Sequence, residues 1–433
     1  MRLCLAVGAF GGLVLLFLVL IVATDGARNG LVAWLLTFLA ATAAVLGFGR
    51  RHTRRIRLRR LLPVAAAAAL TITVCIPTVP TQRRHPVDLP FAAARHWQLA
   101  SGSRVAVYHY PPAPGSPRRP TPLVYLHGGP IRGISLLDHA FLQLLAREGH
   151  DVYAYEQAGA GRSDLLRMDE YGIDRLTTDL GDFLDRLGGR GQVDVLGFSA
   201  GAIVLTRALA DPRQAARVRR AIIAEPGPMD GPTARIDGHP GRPSARGAAP
   251  DPAGPRSTHL PRYGVAFGLL RLGLLGFDNG LVGQAEGVNA FTAADLGSDT
   301  ASAYCAHDAH RIPVEDDPQN FSFNAAASLR VQQTIRDSPS LAPRLGSSGT
   351  PTMLMIAECS SQIRQWATAV LAAGPAVERT QYLPGVGHRM WNGLDDNNRR
   401  AAGVITAFLD GRPAPLPNYP TRADIPTFLQ DHR

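Results

Sequence analysis

One stretch limits the possible folds more than any other: residues 193–210, VDVLGFSAGAIVLTRALA. "VDVLGF" is short, apolar and β-prone, whereas "AIVLTRALA" carries its apolar residues at helical spacing. Only Ser199, set among small residues, separates them. A strand that passes directly into a helix is the unit of a parallel sheet covered by helices on both faces. The flanking sequence keeps this rhythm. "HWQLASGSRVAVYHY" reads as two strands around a Ser-Gly turn, and "PPAPGSPRRPTP" as a surface loop. "PLVYLHGGP" and "DVYAYEQAGAGRSD" are apolar runs that end in glycines, 171–187 has helical spacing, and "VRRAIIAEPG" is a further strand. The expected class is α/β, with core segments 85–225 and 346–433.

Between them the pattern breaks. Residues 226–345 have no clear strand, which far exceeds an ordinary connection. The segment starts rich in Gly, Pro and Ala, a composition that favours disorder. From about 259 it gains helical character, so it reads as a helical cap inserted into the core. After it come the strand "PTMLMIA", the helical "QIRQWATAVLAA", the strand "VERTQYL", the turn "PGVGH" and a last helix near 401–409.

The N-terminal 84 residues have a different character. Three apolar runs, 3–24, 30–48 and 61–79, are each read as a membrane-spanning helix, at about 20 residues per crossing. A cleaved signal peptide is the alternative for the first, but Arg2 is the only charge before it and a second span follows at once. Seven arginines fall within 50–60, and a short basic loop stays on the cytoplasmic side. If all three runs span, everything after the third lies outside the cell membrane. If the third only rests on the surface, the domain is cytoplasmic.

Charge argues against nucleic acid as a partner. Residues 1–84 hold 11 Arg and one acid, Asp25, which accounts for the whole formal charge of +10. The remainder has 34 basic and 34 acidic residues, and every basic residue in the chain is arginine. Binding to phosphate needs a basic face on the folded domain. Of the four cysteines, Cys4 and Cys75 sit in apolar runs; Cys305 and Cys359 could pair in an oxidising compartment. No C-x-x-C pair suggests zinc, and neither metal nor cofactor is expected.

Three motifs carry chemistry. In "GFSAG" the turn thrusts the Ser199 hydroxyl outward, with a helix N-terminus directly behind it. "HGGP", 127–130, ends an apolar strand with glycines that let backbone N–H groups approach a reacting oxygen. Gly129 N–H and Ala200 N–H are the expected pair of donors. His127 reads as a residue packed beneath that loop rather than a catalytic base. "LPGVGHRMW" places His388 on a loop after the last strand, and the order serine first, histidine near the end suits acyl transfer on this kind of sheet.

These residues resemble the α/β-hydrolase superfamily, and "HGGP" followed by "YEQAGAGRSD" is similar to its proline iminopeptidase branch, over roughly 92–410. That branch has HGGPG, DQRGxGxS and GGSWG. Here Ile131 replaces the last glycine, "EQAGAG" replaces DQRGxG, and "GFSAG" replaces GGSWG. The resemblance implies a serine hydrolase acting on a small ester or a short peptide or amide. Haloalkane dehalogenases and epoxide hydrolases are excluded, since they attack with aspartate where Ser199 stands. A haloperoxidase or perhydrolase would share the serine, histidine and acid. Glu286 and Glu315, in the cap, could meet a substrate amine but receive no role.

The resemblance also raises a question. It places the acid of the triad just after "TMLMIAE", where Ser360 stands. Some relatives carry a glutamate at the end of the preceding strand instead, and Glu225 ends "RRAIIAE". The expectation is that Glu225 orients His388, with Glu358 as the alternative acid. A non-catalytic binding or scaffold module at the membrane is the rival reading, motivated by Ser360.

Overall fold

The computed structural model describes residues 94–187, 191–226, 324–338, 348–358, 377–391 and 395–417. The three apolar N-terminal runs, Ser360, Glu286, Glu315 and both Cys305 and Cys359 lie outside these, as does nearly all of the cap. Among the described residues no helix is long and apolar enough to cross a membrane.

Eight strands form one sheet in the order β1-β2-β4-β3-β5-β6-β7-β8. β1 (Arg95–Gln98) and β2 (Arg104–Tyr110) make the expected hairpin, its turn closed by Leu99 N–H to the Ser103 carbonyl at 2.8 Å. β2 lies antiparallel to β4 (Val152–Tyr155). From there the sheet is parallel through β3 (Leu123–Leu126), β5 (Val193–Phe198), β6 (Val218–Ala224), β7 (Thr352–Ala357) and β8 (Val377–Leu383). Every residue of β3, β4, β5 and β7 is buried, as continuous apolar strands in a sheet covered on both sides must be.

The helices divide between the two faces. α1 (Leu136–Arg147) starts at a capping box: the Ser135 hydroxyl accepts from Asp138 N–H, and the Asp138 carboxylate accepts from Ser135 N–H. It packs beside the C-terminal α6 (Asp395–Leu409), where Phe141, Leu145, Val404 and Phe408 join one core with Leu196, Met353 and Met355. On the other face lie α2 (Ile173–Leu187) and α3 (Ala200–Leu209). There the Phe183 ring stacks on Tyr155 at 4.6 Å and on Trp97 at 5.0 Å. Each such buried side chain contributes about 1.5–3 kcal/mol. A short helix, α4 (Pro212–Ala215), links α3 to β6.

α5 (Ala325–Asp337) is the part of the expected cap that falls within the described residues. Asn324 caps it by accepting from Ala327 N–H at 3.1 Å. Hydrogen bonds tie it to the core: Asn324 N–H donates to the Ile131 carbonyl at 3.0 Å, and the Thr334 hydroxyl accepts from Ile173 N–H at 2.9 Å.

Candidate active site

The site lies where β5 and β6 end side by side. Phe198 and Ala224 are the last paired residues of these strands. The next residue on each, Ser199 and Glu225, enters the left-handed region, with φ of 53° and 47°. That conformation costs about 1–2 kcal/mol for a residue with a β-carbon, so the surroundings must hold it. Ser199 N–H donates to the Ala224 carbonyl at 2.9 Å, and Glu225 N–H to the Met355 carbonyl at 3.0 Å. Both side chains are thereby turned off the strand direction at the carboxyl edge of the sheet.

Close packing makes the serine turn possible. A β-carbon on Gly201 would lie 2.2 Å from the Leu126 carbonyl oxygen, so only glycine lets α3 start this near β3. One on Gly128 would lie 2.9 Å from Ser199 Cβ. α3 begins immediately after Ser199, and its first N–H groups, Ala200 N–H among them, have no intrahelical partner.

Three side chains form one line. His388 Nε2 is 3.1 Å from Ser199 Oγ, and His388 Nδ1 is 3.0 Å from Glu225 Oε2. The other oxygen, Glu225 Oε1, accepts from Ala357 N–H at 2.6 Å. Glu225 is fully buried, and its side chain reaches from the end of β6 across to the end of β7. A carboxylate therefore stands beside the place where the resemblance expects an acid after β7. Glu358 is exposed and faces elsewhere: its Oε2 accepts from Gly385 N–H at 2.7 Å, tying down the start of the histidine loop.

Sequence reasoning missed what holds the two flanking loops. His388 lies 5.1 Å from the Phe198 ring, which in turn meets Trp391 at 4.8 Å. Trp391 stacks on Phe141 at 4.6 Å and donates from Nε1 to Asp138 Oδ1 at 2.7 Å. Asp138 accepts also from the Tyr125 hydroxyl at 2.7 Å, and from Ser135 N–H and hydroxyl at 3.1 and 2.7 Å. Burial pushes its pKa up, but the bonds from Trp391, Tyr125 and Ser135, with the charge of Arg389, outweigh this and keep it below the usual range. The S-x-x-D spacing announces a helix cap; that the same aspartate also anchors the histidine loop becomes visible only in three dimensions.

The second motif supports the first. His127 donates from Nδ1 to the Gly128 carbonyl at 2.9 Å, and its Nε2 accepts from Gln157 N–H at 2.9 Å. Burial lowers its pKa to about 4, so the ring stays neutral beneath the loop, as its sequence setting suggested. Gln157 Oε1 accepts from Ile131 N–H at 2.8 Å, and Glu156 Oε1 from Ile134 N–H at 3.2 Å. Thus "EQ" of "YEQAGAGRSD" is the bracket for the glycine loop. Ile131, where the similar branch has glycine, adopts φ 56° while fully buried. A β-branched residue there is a true outlier, held from one side by Gln157 and from the other by Asn324.

The cleft over Ser199 is lined by Gly128, Gly129, Arg132, Asp138, His388 and Arg389, among others. Gly129, with φ 98°, lies in the loop after β3, and Ala200 is the first residue of α3.

Comparison with known proteins follows the same outline. Residues 121–249 match the family profile described as alpha/beta hydrolase fold. No curated protein matches the sequence. A thermophilic esterase from Thermogutta terrifontis is 15% identical with a TM-score of 0.50, over 74% of this chain and 99% of that one. An esterase from Exiguobacterium antarcticum is 15% identical with a TM-score of 0.47, over 73% and 98%. A proline iminopeptidase from Mycobacterium smegmatis is 18% identical with a TM-score of 0.45, over 74% and 98%. Identity this low speaks to the fold alone.

Proposed function

We propose that this chain, whose residues 121–249 match the alpha/beta hydrolase fold profile, is a serine hydrolase of that superfamily, cleaving an ester or amide through an acyl-enzyme. The observation that carries the reading is the unbroken line from Glu225 through His388 to Ser199, at 3.0 and 3.1 Å. In this mechanism Ser199 Oγ attacks the substrate carbonyl carbon while its proton passes to His388 Nε2. Glu225 Oε2 holds Nδ1–H and balances the imidazolium charge. Gly129 and Ala200 N–H groups stabilise the oxyanion. His388 then gives the proton to the leaving oxygen or nitrogen, the carbonyl re-forms, and water repeats the sequence to free the acid. The reading of a non-catalytic module rested on the serine at position 360; the carboxylate that meets His388 from β6 supports the catalytic reading over it.

Labelling with a fluorophosphonate tests this directly. Wild-type protein should be labelled and Ser199→Ala should not. Folded wild-type protein that takes no label would restore the binding-module reading.

We further propose that residues 1–84 anchor the domain in the cell membrane with the catalytic part outside. The arginine-rich segment between the second and third apolar runs supports that orientation. Alkaline phosphatase fused after residue 433 should then be active. An inactive fusion, with a cytoplasmic reporter active in its place, would show that the run 61–79 does not cross.

A further inference from the structure

Proton transfer at Ser199 depends on how His388 is held, and its loop is tied at both ends. At the start, Glu358 Oε2 accepts from Gly385 N–H at 2.7 Å, and Arg400 donates to the Pro384 carbonyl at 2.7 Å. At the far end Trp391 is buried, stacked on Phe141 at 4.6 Å, with its indole N–H on Asp138 Oδ1 at 2.7 Å. Met390 N–H donates to the His388 carbonyl at 3.1 Å, and Phe198 meets both the His388 and the Trp391 rings, at 5.1 and 4.8 Å. A shift of Trp391 is therefore passed to the histidine.

Asp138 is the joint on which this end rests. It accepts from the Tyr125 hydroxyl on β3, the strand that leads into the glycine loop, and from Ser135 N–H and hydroxyl, where that loop ends. Its fourth donor is Trp391, from the histidine loop. The glycine loop and the base are thus referred to one carboxylate. Although Asp138 lines the cleft, four bonds fill the roughly four lone-pair sites of an ionised carboxylate and leave none for a substrate. Its route to the reaction runs through Trp391. Aromatic contacts accept offset geometries, whereas a hydrogen bond weakens steeply off its axis, so the indole N–H is what fixes the ring.

We infer that Asp138 is a positioning residue: through Trp391 it sets the place of His388 against the glycine loop, and so governs delivery of the proton to the leaving group. This rests on the serine-hydrolase reading. A misplacement of about 1 Å is enough to cost on the order of 10²-fold in rate.

The leaving group provides the readout. 4-Nitrophenyl acetate and 4-methylphenyl acetate are close in shape, but nitrophenolate departs without a proton, whereas the cresol takes the one that His388 returns. Trp391→Phe keeps a ring beside Phe141 and loses the indole N–H. It should lower kcat/KM about tenfold more for the methylphenyl ester, part of the roughly 10²–10⁴-fold that acid–base catalysis supplies. Leu145→Ala, a core deletion in the last turn of α1, should lower the melting temperature without moving that ratio. Asp138→Ala should move it as Trp391→Phe does, and the double variant no further than the larger single effect, as for two ends of one contact. Should Asp138→Ala not fold, Trp391→Phe against Leu145→Ala still decides. A folded Trp391→Phe that slows both esters equally, or neither, would overturn the inference. So would an equal shift in Leu145→Ala, or shifts that multiply in the double variant. If wild-type protein takes the fluorophosphonate but cleaves neither acetate, the labelling rate is read instead. It should be about tenfold slower in Trp391→Phe and unchanged in Leu145→Ala, and equal rates would overturn the inference. Wild-type protein that neither labels nor cleaves fails the hydrolase reading first, and this inference with it.

Discussion

A Glu225→Gln variant should stay folded and lose about 10⁴-fold in kcat, the scale of a carboxylate-to-amide exchange behind a catalytic histidine. The geometry gives the reason. Glu225 Oε1 accepts from Ala357 N–H at 2.6 Å, so a glutamine would keep its carbonyl oxygen there. Its amide NH₂ would then face His388 Nδ1, 3.0 Å away in the wild type, and would donate to it. That hydrogen bond selects the tautomer with the proton on Nε2, which cannot take the proton of Ser199. Glu358→Gln should turn over close to the wild-type rate, since that carboxylate bonds to Gly385 N–H. Steady-state kinetics on any turned-over ester decides the matter. Normal turnover in Glu225→Gln together with its loss in Glu358→Gln would move the acid to the end of β7.

The second large effect is on stability. Gly201→Ala should cost about 3 kcal/mol, the upper part of the usual range for overpacking. The atoms that an alanine β-carbon would meet, at 2.2 to 2.7 Å, are the Leu126 carbonyl carbon and oxygen and the His127 carbonyl oxygen. All three are backbone, so no side-chain rotation relieves the clash, and α3 must move away from β3. A fall of roughly 6–12 °C in Tm should follow. Activity should drop as well, because Ser199 and Ala200 ride on the start of α3. Gly403→Ala is the matched control. Nothing lies within 4 Å of a β-carbon there, and inside α6 alanine should stabilise by about 0.5–1 kcal/mol. If calorimetry finds Gly201→Ala as stable as Gly403→Ala, β3 and α3 do not approach so closely.

The sheet was legible because parallel strands buried on both faces must be apolar throughout, and runs such as "TMLMIA" and "VDVLGF" have no other economical use. The hairpin at Ser101–Gly102 and the helix at 171–187 followed from turn chemistry and spacing. α1 is marked in the sequence only by its S-x-x-D cap, directly after the glycine motif, and was not among the expected elements. At the site, Ser199 and His388 could be found from local pattern alone. The place of Glu225 could be argued only from the adjacency of strand ends, since 163 residues separate it from His388. What no pattern announces is a side chain with two duties. Asp138 caps a helix and holds a tryptophan 253 residues away, and Gln157 supports a loop 26 residues back. These contacts are set by the assembled sheet, and nothing in the sequence around either residue marks its partner.

The undescribed stretch 227–323 leaves the core two residues after Glu225 and rejoins it at Asn324, whose N–H is bonded to Ile131. The described residues that flank it are thus tied to the reacting centre, one beside the acid and the other on the glycine loop. The sheet's strand pairings do not pass through it. An exchange of that stretch for a foreign one would therefore leave every described strand pairing in place. The same two joints impose a cost on careless exchange: a graft that pulls on Asn324 would tug Ile131, already held at an unfavourable backbone angle, and misalign the loop it was meant to leave alone.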